Sequence, residues 1–275
     1  ESLGKAPKWR GHSDTETMLA AISCWGLHKA ISKFLGMFAF ALWDRKERSL
    51  HLSRDRIGEK PLYYGWMGRV LLFGSELKAL RKHPSWKGEI NPDALALFMQ
   101  YGYVPTPYSI YKGIFKINPA TIATFTQNHT STFAPTKIKT YWQAEELARN
   151  GEASPLQNDD AAAIGHLDKL LEDSVKQQMI SDVPLGAFLS GGVDSSTIVA
   201  HMQKQSTRPV KTFTIGFREE NYNEAVYAKK VAQHLGTDHT ELYVDAKQAM
   251  EVIPRLPAIY DEPFSDSSQI PTFLI

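Results

Sequence analysis

The sequence predicts an α+β region followed by an α/β region. Three observations carry that expectation. Short apolar runs separated by tight turns fill the stretch from Phe34 to Phe73. Residues 127–160 are rich in Asn, Thr, Ser, Pro and Gly and show little periodicity. Beyond them, helical and strand patterns alternate, as they do where helices cover a parallel sheet.

In chain order, residues 13–31 read as a helix. Ser13 or Asp14 is the cap, and Glu16, three residues after Ser13, completes a capping box. Met18, Ala21, Ile22 and Trp25 then fall at helical spacing. Strand patterns follow in Met37-Phe38-Ala39-Phe40-Ala41-Leu42-Trp43, Leu50-His51-Leu52, Leu62-Tyr63-Tyr64 and Val70-Leu71-Leu72-Phe73, and their short turns indicate an antiparallel sheet. Asn91-Pro92 starts a helix that runs to about Tyr101. Pro105, Pro107 and Gly113 break what comes next.

The domain boundary falls in the loop-like stretch, giving a first domain over 1–130, a linker over 131–160 and a second domain over 161–275. The second domain opens with a helix from Ala161 to Met179, with Ile164, Leu167, Leu170, Leu171 and Val175 on one face. A short buried strand spans Leu185 to Leu189. Helix 195–205, strand 210–217, helix 223–235 and strand 239–244 complete the alternation.

Composition narrows the function classes. Of the 275 residues, 43% are hydrophobic and 22% charged, an ordinary globular balance. The formal charge is +1, from 31 basic and 30 acidic side chains, so no basic face marks a nucleic-acid partner. The longest apolar run, Leu35 to Trp43, is far short of the ~20 residues that span a bilayer. Cys24 is the single cysteine, which excludes an intrachain disulfide and fits a reducing, cytoplasmic setting. The histidines are scattered, and no set around the His234/His239 pair has zinc-ligand spacing. Both termini read as cuts through folded structure.

The strongest chemical signal is Leu189-Ser190-Gly191-Gly192-Val193-Asp194-Ser195-Ser196, which follows one expected strand and opens one expected helix. Backbone N–H groups at such a helix start have no internal partner, and the helix dipole adds positive potential. Two glycines let the backbone close around an anion, and Ser190, Ser195 and Ser196 supply hydroxyl donors. Asp194 would repel a phosphate, unless its carboxylate holds Mg²⁺, a hard cation that takes oxygen ligands. A Walker loop is excluded, because Gly192 stands where its lysine belongs. A dinucleotide-binding G-x-G-x-x-G is absent as well. The bland alternative is a Gly-Gly turn capped by Asp and Ser.

S-G-G-x-D-S-S resembles the PP-loop of the ATP pyrophosphatases, which release pyrophosphate while adenylating a substrate. Its context resembles the glutamine-hydrolysing asparagine synthetases over nearly the whole chain. The matching segments are Arg10-Gly11-His12-Ser13-Asp14-Thr15-Glu16, Gly36 to Asp44, Arg54 to Tyr64, Ser75 to Leu80, Thr214-Ile215-Gly216-Phe217 and Asp261 to Ser268. The resemblance implies part of an N-terminal-nucleophile glutaminase sandwich, then part of an adenine-nucleotide α-hydrolase-like parallel sheet. It implies glutamine, ATP and aspartate or a related carboxylate as partners and Mg²⁺ as cofactor, and it allows a homodimer.

Residue by residue, Asp14 matches the aspartate that binds the α-amino group of glutamine, with a helix cap as the competing role. Ser190, Gly191, Gly192, Asp194, Ser195 and Ser196 match the pyrophosphate cradle, Asp194 being the Mg²⁺ ligand. Ile215 matches a position whose backbone reads adenine, and Phe188 and Leu189 flank the same pocket. Arg54, Asp55, Lys60, Glu76, Asp261, Glu262 and Asp266 lie in matching motifs without distinct roles; ion pairing and turn formation account for them as well as catalysis does.

The family's nucleophile is an N-terminal cysteine whose α-amino group is its base. Position 1 here is Glu1, and Cys24 is internal, so the chain alone is expected to lack glutaminase activity and to carry no catalytic residue of its own. Two other readings stay open at this point: a paralogous amidotransferase acting on a sugar acid or other carboxylate, and a non-catalytic binding protein of the same fold.

Overall fold

The computed structural model describes residues 9–126, 134–157, 159–217 and 224–274. The chain divides into two compact units, Glu1–Ala153 and Ser154–Ile275.

The first unit opens with α1 (Asp14–Trp25) and α2 (Leu27–Ile31). The single helix expected over 13–31 is broken at Gly26, which adopts φ 76° and ψ 157°, a conformation open to glycine. Ser13 caps α1, its Oγ accepting the Thr15 N–H at 3.2 Å. The expected capping box does not form. Glu16 turns to the chain before the helix, where its carboxylate accepts the N–H groups of Arg10 at 2.9 Å and Gly11 at 3.0 Å.

Two antiparallel sheets follow. One has β1 (Ala39–Asp44), β2 (Ser49–Arg54), β6 (Thr121–Thr126) and β7 (Lys137–Thr140) in that order; the other places β3 (Tyr63–Met67) between β4 (Val70–Gly74) and β5 (Ile114–Lys116). Side chains alternate across a strand, and β3 uses both faces. Tyr64 joins Leu52, Ala123 and Phe125 against the first sheet, and its ring meets Phe125 edge-on at 5.6 Å. Tyr63 and Met67 point the other way, into a second cluster with Leu77, Leu80 and Ala94. These last three come from α3 (Leu77–Leu80) and α4 (Pro92–Tyr101). Asn91 caps α4 by accepting the Asp93 N–H at 3.1 Å, with Pro92 at the first helical position.

The stretch 131–160, expected as a linker, contains β7 and α5 (Ala144–Ala153) among its described residues. β7 pairs with β6 in the register Ala123↔Ile138. Every β7 side chain is exposed and α5 buries none, so neither element adds to the core of the unit.

The second unit begins with α6 (Asp160–Gln178), capped by Asp159, whose Oδ1 accepts the Ala162 N–H at 2.8 Å. Of its expected apolar face only Val175 is buried, against Met202 and Val210; Ile164, Leu167 and Leu170 are exposed. Then come β8 (Gly186–Phe188), α7 (Val193–Gln205), β9 (Lys211–Phe217), α8 (Ala225–Leu235) and β10 (Asp238–Val244). The first residue expected in the α8 helix, residue 223, lies outside the described residues. The three strands form one parallel sheet in the order β10-β9-β8. Leu189, Val199, Ala228 and Ala232 fill the layer between the sheet, α7 and α8. Short helices α9 (Ala246–Val252), α10 (Leu256–Ile259) and α11 (Gln269–Leu274) follow. Among the described residues no helix is long and apolar enough to cross a membrane.

His51 lies between β2 and β6. Its Nε2 meets Ser49 Oγ and its Nδ1 meets Thr124 Oγ1, both at 3.0 Å. Burial holds its pKa below the usual imidazole range, opposed in part by Asp44. A folded-state pKa below the unfolded value means that the unfolded chain binds more protons as pH falls, so the stability contributed by neutral His51 is complete above the ordinary imidazole pKa of about 6.5 and is lost below it. The midpoint of thermal unfolding should therefore fall between about pH 7 and pH 5, and His51→Gln should flatten that fall. Parallel pH profiles for the two proteins would exclude His51 as a source.

Candidate functional site

The residues singled out in the sequence fall at two places, a pocket in the first unit and a loop at a strand end in the second. In the first, a pocket of about 590 Å³ lies between α1, the Met37–Leu42 segment and residues 60–61 and 75–76. Asp14 stands at its α1 side. Because Ser13 takes the capping role, the Asp14 carboxylate is not spent on the helix end; its Oδ1 accepts from the hydroxyls of Ser13 and Thr15, each at 3.4 Å. The cap assigned to Asp14 as an alternative role is thus filled by Ser13. The helix N-terminus stabilises an anion at this position, leaving a fixed carboxylate for a cationic ligand group. Lys60 and Glu76 line the same pocket, and Glu76 pairs with Lys78 at 3.6 Å.

In the second unit, the loop 189–192 joins the C-terminal end of β8 to the start of α7, the side of a parallel sheet where ligands bind. The Leu189 side chain is in the core, with 1% of its surface exposed, so only its backbone faces the loop; its N–H donates to Phe213 O at 2.9 Å. Phe188 is exposed and Ile215, two residues beyond Phe213 on β9, is half-buried. The hydroxyls of Ser190 and Ser195 bridge the loop at 2.9 Å. The Gly192 N–H donates to Ser190 Oγ at 3.3 Å.

Gly192 is the N-cap residue of α7 and offers no side chain to the helix, so the first-turn amides are not occupied by a capping side chain. Asp194 lies exposed in that first turn and Ser196 Oγ is buried without a hydrogen-bond partner.

Comparison with known proteins adds two family matches: the "Glutamine amidotransferase domain" family over residues 1–142 and the "Asparagine synthase" family over residues 166–275. A putative glutamine-hydrolysing asparagine synthetase 2 of Methanocaldococcus jannaschii is 39% identical over 96% of this chain and 49% of its own length. The chain belongs to the glutamine-hydrolysing asparagine synthetase family. Asparagine synthetases 1 and 3 of Bacillus subtilis are 33% and 32% identical, again over 96% of this chain, and over 39% and 44% of their own lengths. The chain therefore spans half or less of each of these relatives.

The loop fits the ATP and Mg²⁺ that such a family implies. An orphaned buried hydroxyl at Ser196, uncapped first-turn amides and two bridging serines make a donor-rich cradle for phosphate oxygens. No group of three or more His, Cys, Asp or Glu side chains able to hold a metal occurs among the described residues. Mg²⁺ needs no such cage, since it binds through one or two carboxylates together with phosphates and waters. Asp194, exposed in the first turn of α7, would supply one carboxylate.

Sequence reasoning did not find the wall behind the loop. Gly191 adopts φ 80°, and a Cβ there would lie 2.7 Å from Ala228 N and 2.8 Å from the Tyr227 carbonyl carbon, so the loop rests directly on the first turn of α8. Gly191 and Gly192 look alike in sequence but differ in what they tolerate. A Cβ on Gly192 would meet only Ser190 Oγ, at 3.4 Å, and its φ is −73°. Gly191→Ala should lower stability by about 2 kcal/mol or more, through the positive φ and the backbone clash together. Gly192→Ala should change it by less than about 1 kcal/mol. Equal unfolding midpoints for the two variants in chemical denaturation would contradict this account of the loop.

Proposed function

We propose that this chain belongs to an ATP-dependent amidotransferase that makes asparagine. Glutamine-derived ammonia is added to aspartate activated as aspartyl-AMP, and the products are asparagine, glutamate, AMP and pyrophosphate. The observation that carries the reading is the pairing in one chain of the Asp14 pocket with the Ser190–Ser196 loop, one feature for each half-reaction. In this reading the glutaminase-type domain, an N-terminal-nucleophile sandwich, occupies 1–130, and the PP-loop ATP-binding domain occupies 161–275. Its setting is the cytoplasm, and a homodimer is compatible with it.

Asp14 gives glutamine its orientation by pairing with the α-ammonium, a charge-assisted bond that fixes the amino-acid end. The loop amides and the hydroxyls of Ser190, Ser195 and Ser196 bind the β- and γ-phosphates of ATP, the part that leaves as pyrophosphate. Holding these oxygens aligns the α-phosphorus for attack by the acceptor carboxylate. The backbone at Leu189 and Ile215, with the exposed Phe188 ring beside it, receives the adenine. Asp194 would hold Mg²⁺, which when bound offsets the negative charge on the leaving pyrophosphate.

Asp194 is not the cap of α7, since Gly192 holds that position. Asp194→Asn therefore removes a charge without removing a cap. In the intact protein it should lower aspartate-dependent pyrophosphate release by on the order of a hundredfold or more, with the thermal midpoint and glutamine hydrolysis little changed. The assay is pyrophosphate release at saturating ATP, Mg²⁺ and aspartate, with other carboxylates as parallel acceptors. A wild-type rate from the variant would rule out the metal assignment. Release with another carboxylate and none with aspartate would rule out asparagine as the product.

A further inference from the structure

Asp55 carries a carboxylate with only 1% of its residue surface exposed. A buried charge is expensive unless hydrogen bonds satisfy it. Here three backbone amides do so. Oδ1 accepts the Glu59 N–H at 2.8 Å, and Oδ2 accepts those of Lys60 at 2.9 Å and Phe38 at 3.3 Å. The Asp55 backbone adds to the same knot: its N–H donates to Phe38 O at 2.9 Å, and its C=O accepts from Ala120 at 2.7 Å.

The preceding residue works on the same segment from the other side. Arg54 donates from Nε to Lys60 O at 2.7 Å, from Nη2 to Gly58 O at 2.5 Å and from Nη1 to Ile117 O at 2.9 Å. The peptide groups on both sides of Lys60 are thus held, its N–H by Asp55 and its C=O by Arg54. Phe38 is held twice by Asp55. Phe38 and Lys60 are both wall residues of the pocket that contains Asp14. A buried carboxylate is weak evidence for stability as such, whereas what this one organises is the wall of a site.

We infer that Asp55, assisted by Arg54, is a positioning residue of the glutamine pocket, acting through the backbones of Phe38 and Lys60 rather than touching the ligand. The inference rests on the reading of that pocket as the glutamine site. It differs from a purely structural role in what it changes. Loss of folded protein lowers every rate together and leaves KM alone, while a displaced wall weakens glutamine binding specifically.

The test is Asp55→Asn in the intact protein, assayed for asparagine formation with glutamine and, separately, with ammonium chloride as nitrogen donor. Asparagine keeps the volume but points an amide N–H₂ at one of three converging N–H groups. The glutamine KM should rise about tenfold, and the ammonia-dependent rate should stay within about twofold of wild type. An unchanged glutamine KM, with both rates falling in parallel, would overturn the inference. Arg54→Lys keeps the charge but cannot span three carbonyls; if Asp55→Asn fails to fold, it must show the same KM shift, and an unchanged KM would be equally decisive. Asp14→Asn is the companion variant. If it too leaves the glutamine KM unchanged, the pocket is not the glutamine site and both readings fall; if it raises KM while Asp55→Asn does not, only the positioning role falls.

Discussion

The second unit depends on one close approach that only glycine permits. At Gly191 the chain takes a left-handed φ of 80° and lies against the backbone of α8, where a Cβ would come within 2.7 Å of Ala228 N. Because the chain can turn there, Leu189 stays buried in the core while Ser190 leaves it, and α7 starts three residues later. The α7 N-terminus then meets the loop without a capping side chain. A donor-rich surface at the end of a parallel strand follows from that turn, before any side chain is chosen for chemistry.

The first unit reaches a comparable result by other means. Its pocket wall is fixed by a buried carboxylate and a guanidinium that bond to backbone peptide groups and meet at Lys60 from its two sides. Tyr141 extends the knot, its hydroxyl donating to Arg54 O at 2.7 Å. In both units the groups proposed to face a ligand are held by residues that would not touch it. Preorganised geometry of this kind is what separates a site from a surface with suitable residues on it.

Much of this was legible in the sequence, and the exceptions have physical causes. Apolar runs and turn residues located the strands around Ala39, Leu50 and Val70 and the order strand, loop, helix, strand around Ser190, although the strand expected to be buried over Leu185–Leu189 keeps only Leu189 in the core, with Leu185 and Phe188 exposed. They missed β7, a four-residue strand with every side chain exposed, and α5, which buries none of its residues and carries the poor helix formers Asn150 and Gly151. Asp14 was legible as a residue of interest but not as free of capping duty; that depends on Ser13 and on Glu16 turning towards Arg10 and Gly11. The difference between Gly191 and Gly192 was invisible, since it is set by α8, more than 30 residues away in sequence. Asp55 read as one charge among several in its motif. Its burial, and the three amides it holds, are tertiary facts.

The central claim is that the backbone from Ser190 to Ser196 is a binding surface for phosphate. The most direct measurement is amide chemical-shift mapping of the isotope-labelled protein titrated with pyrophosphate, with and without Mg²⁺. The account predicts saturable shifts concentrated at the amides of residues 190–196 and at the start of α8, larger when Mg²⁺ is present. Saturable shifts located elsewhere, with the loop amides unmoved, would contradict it.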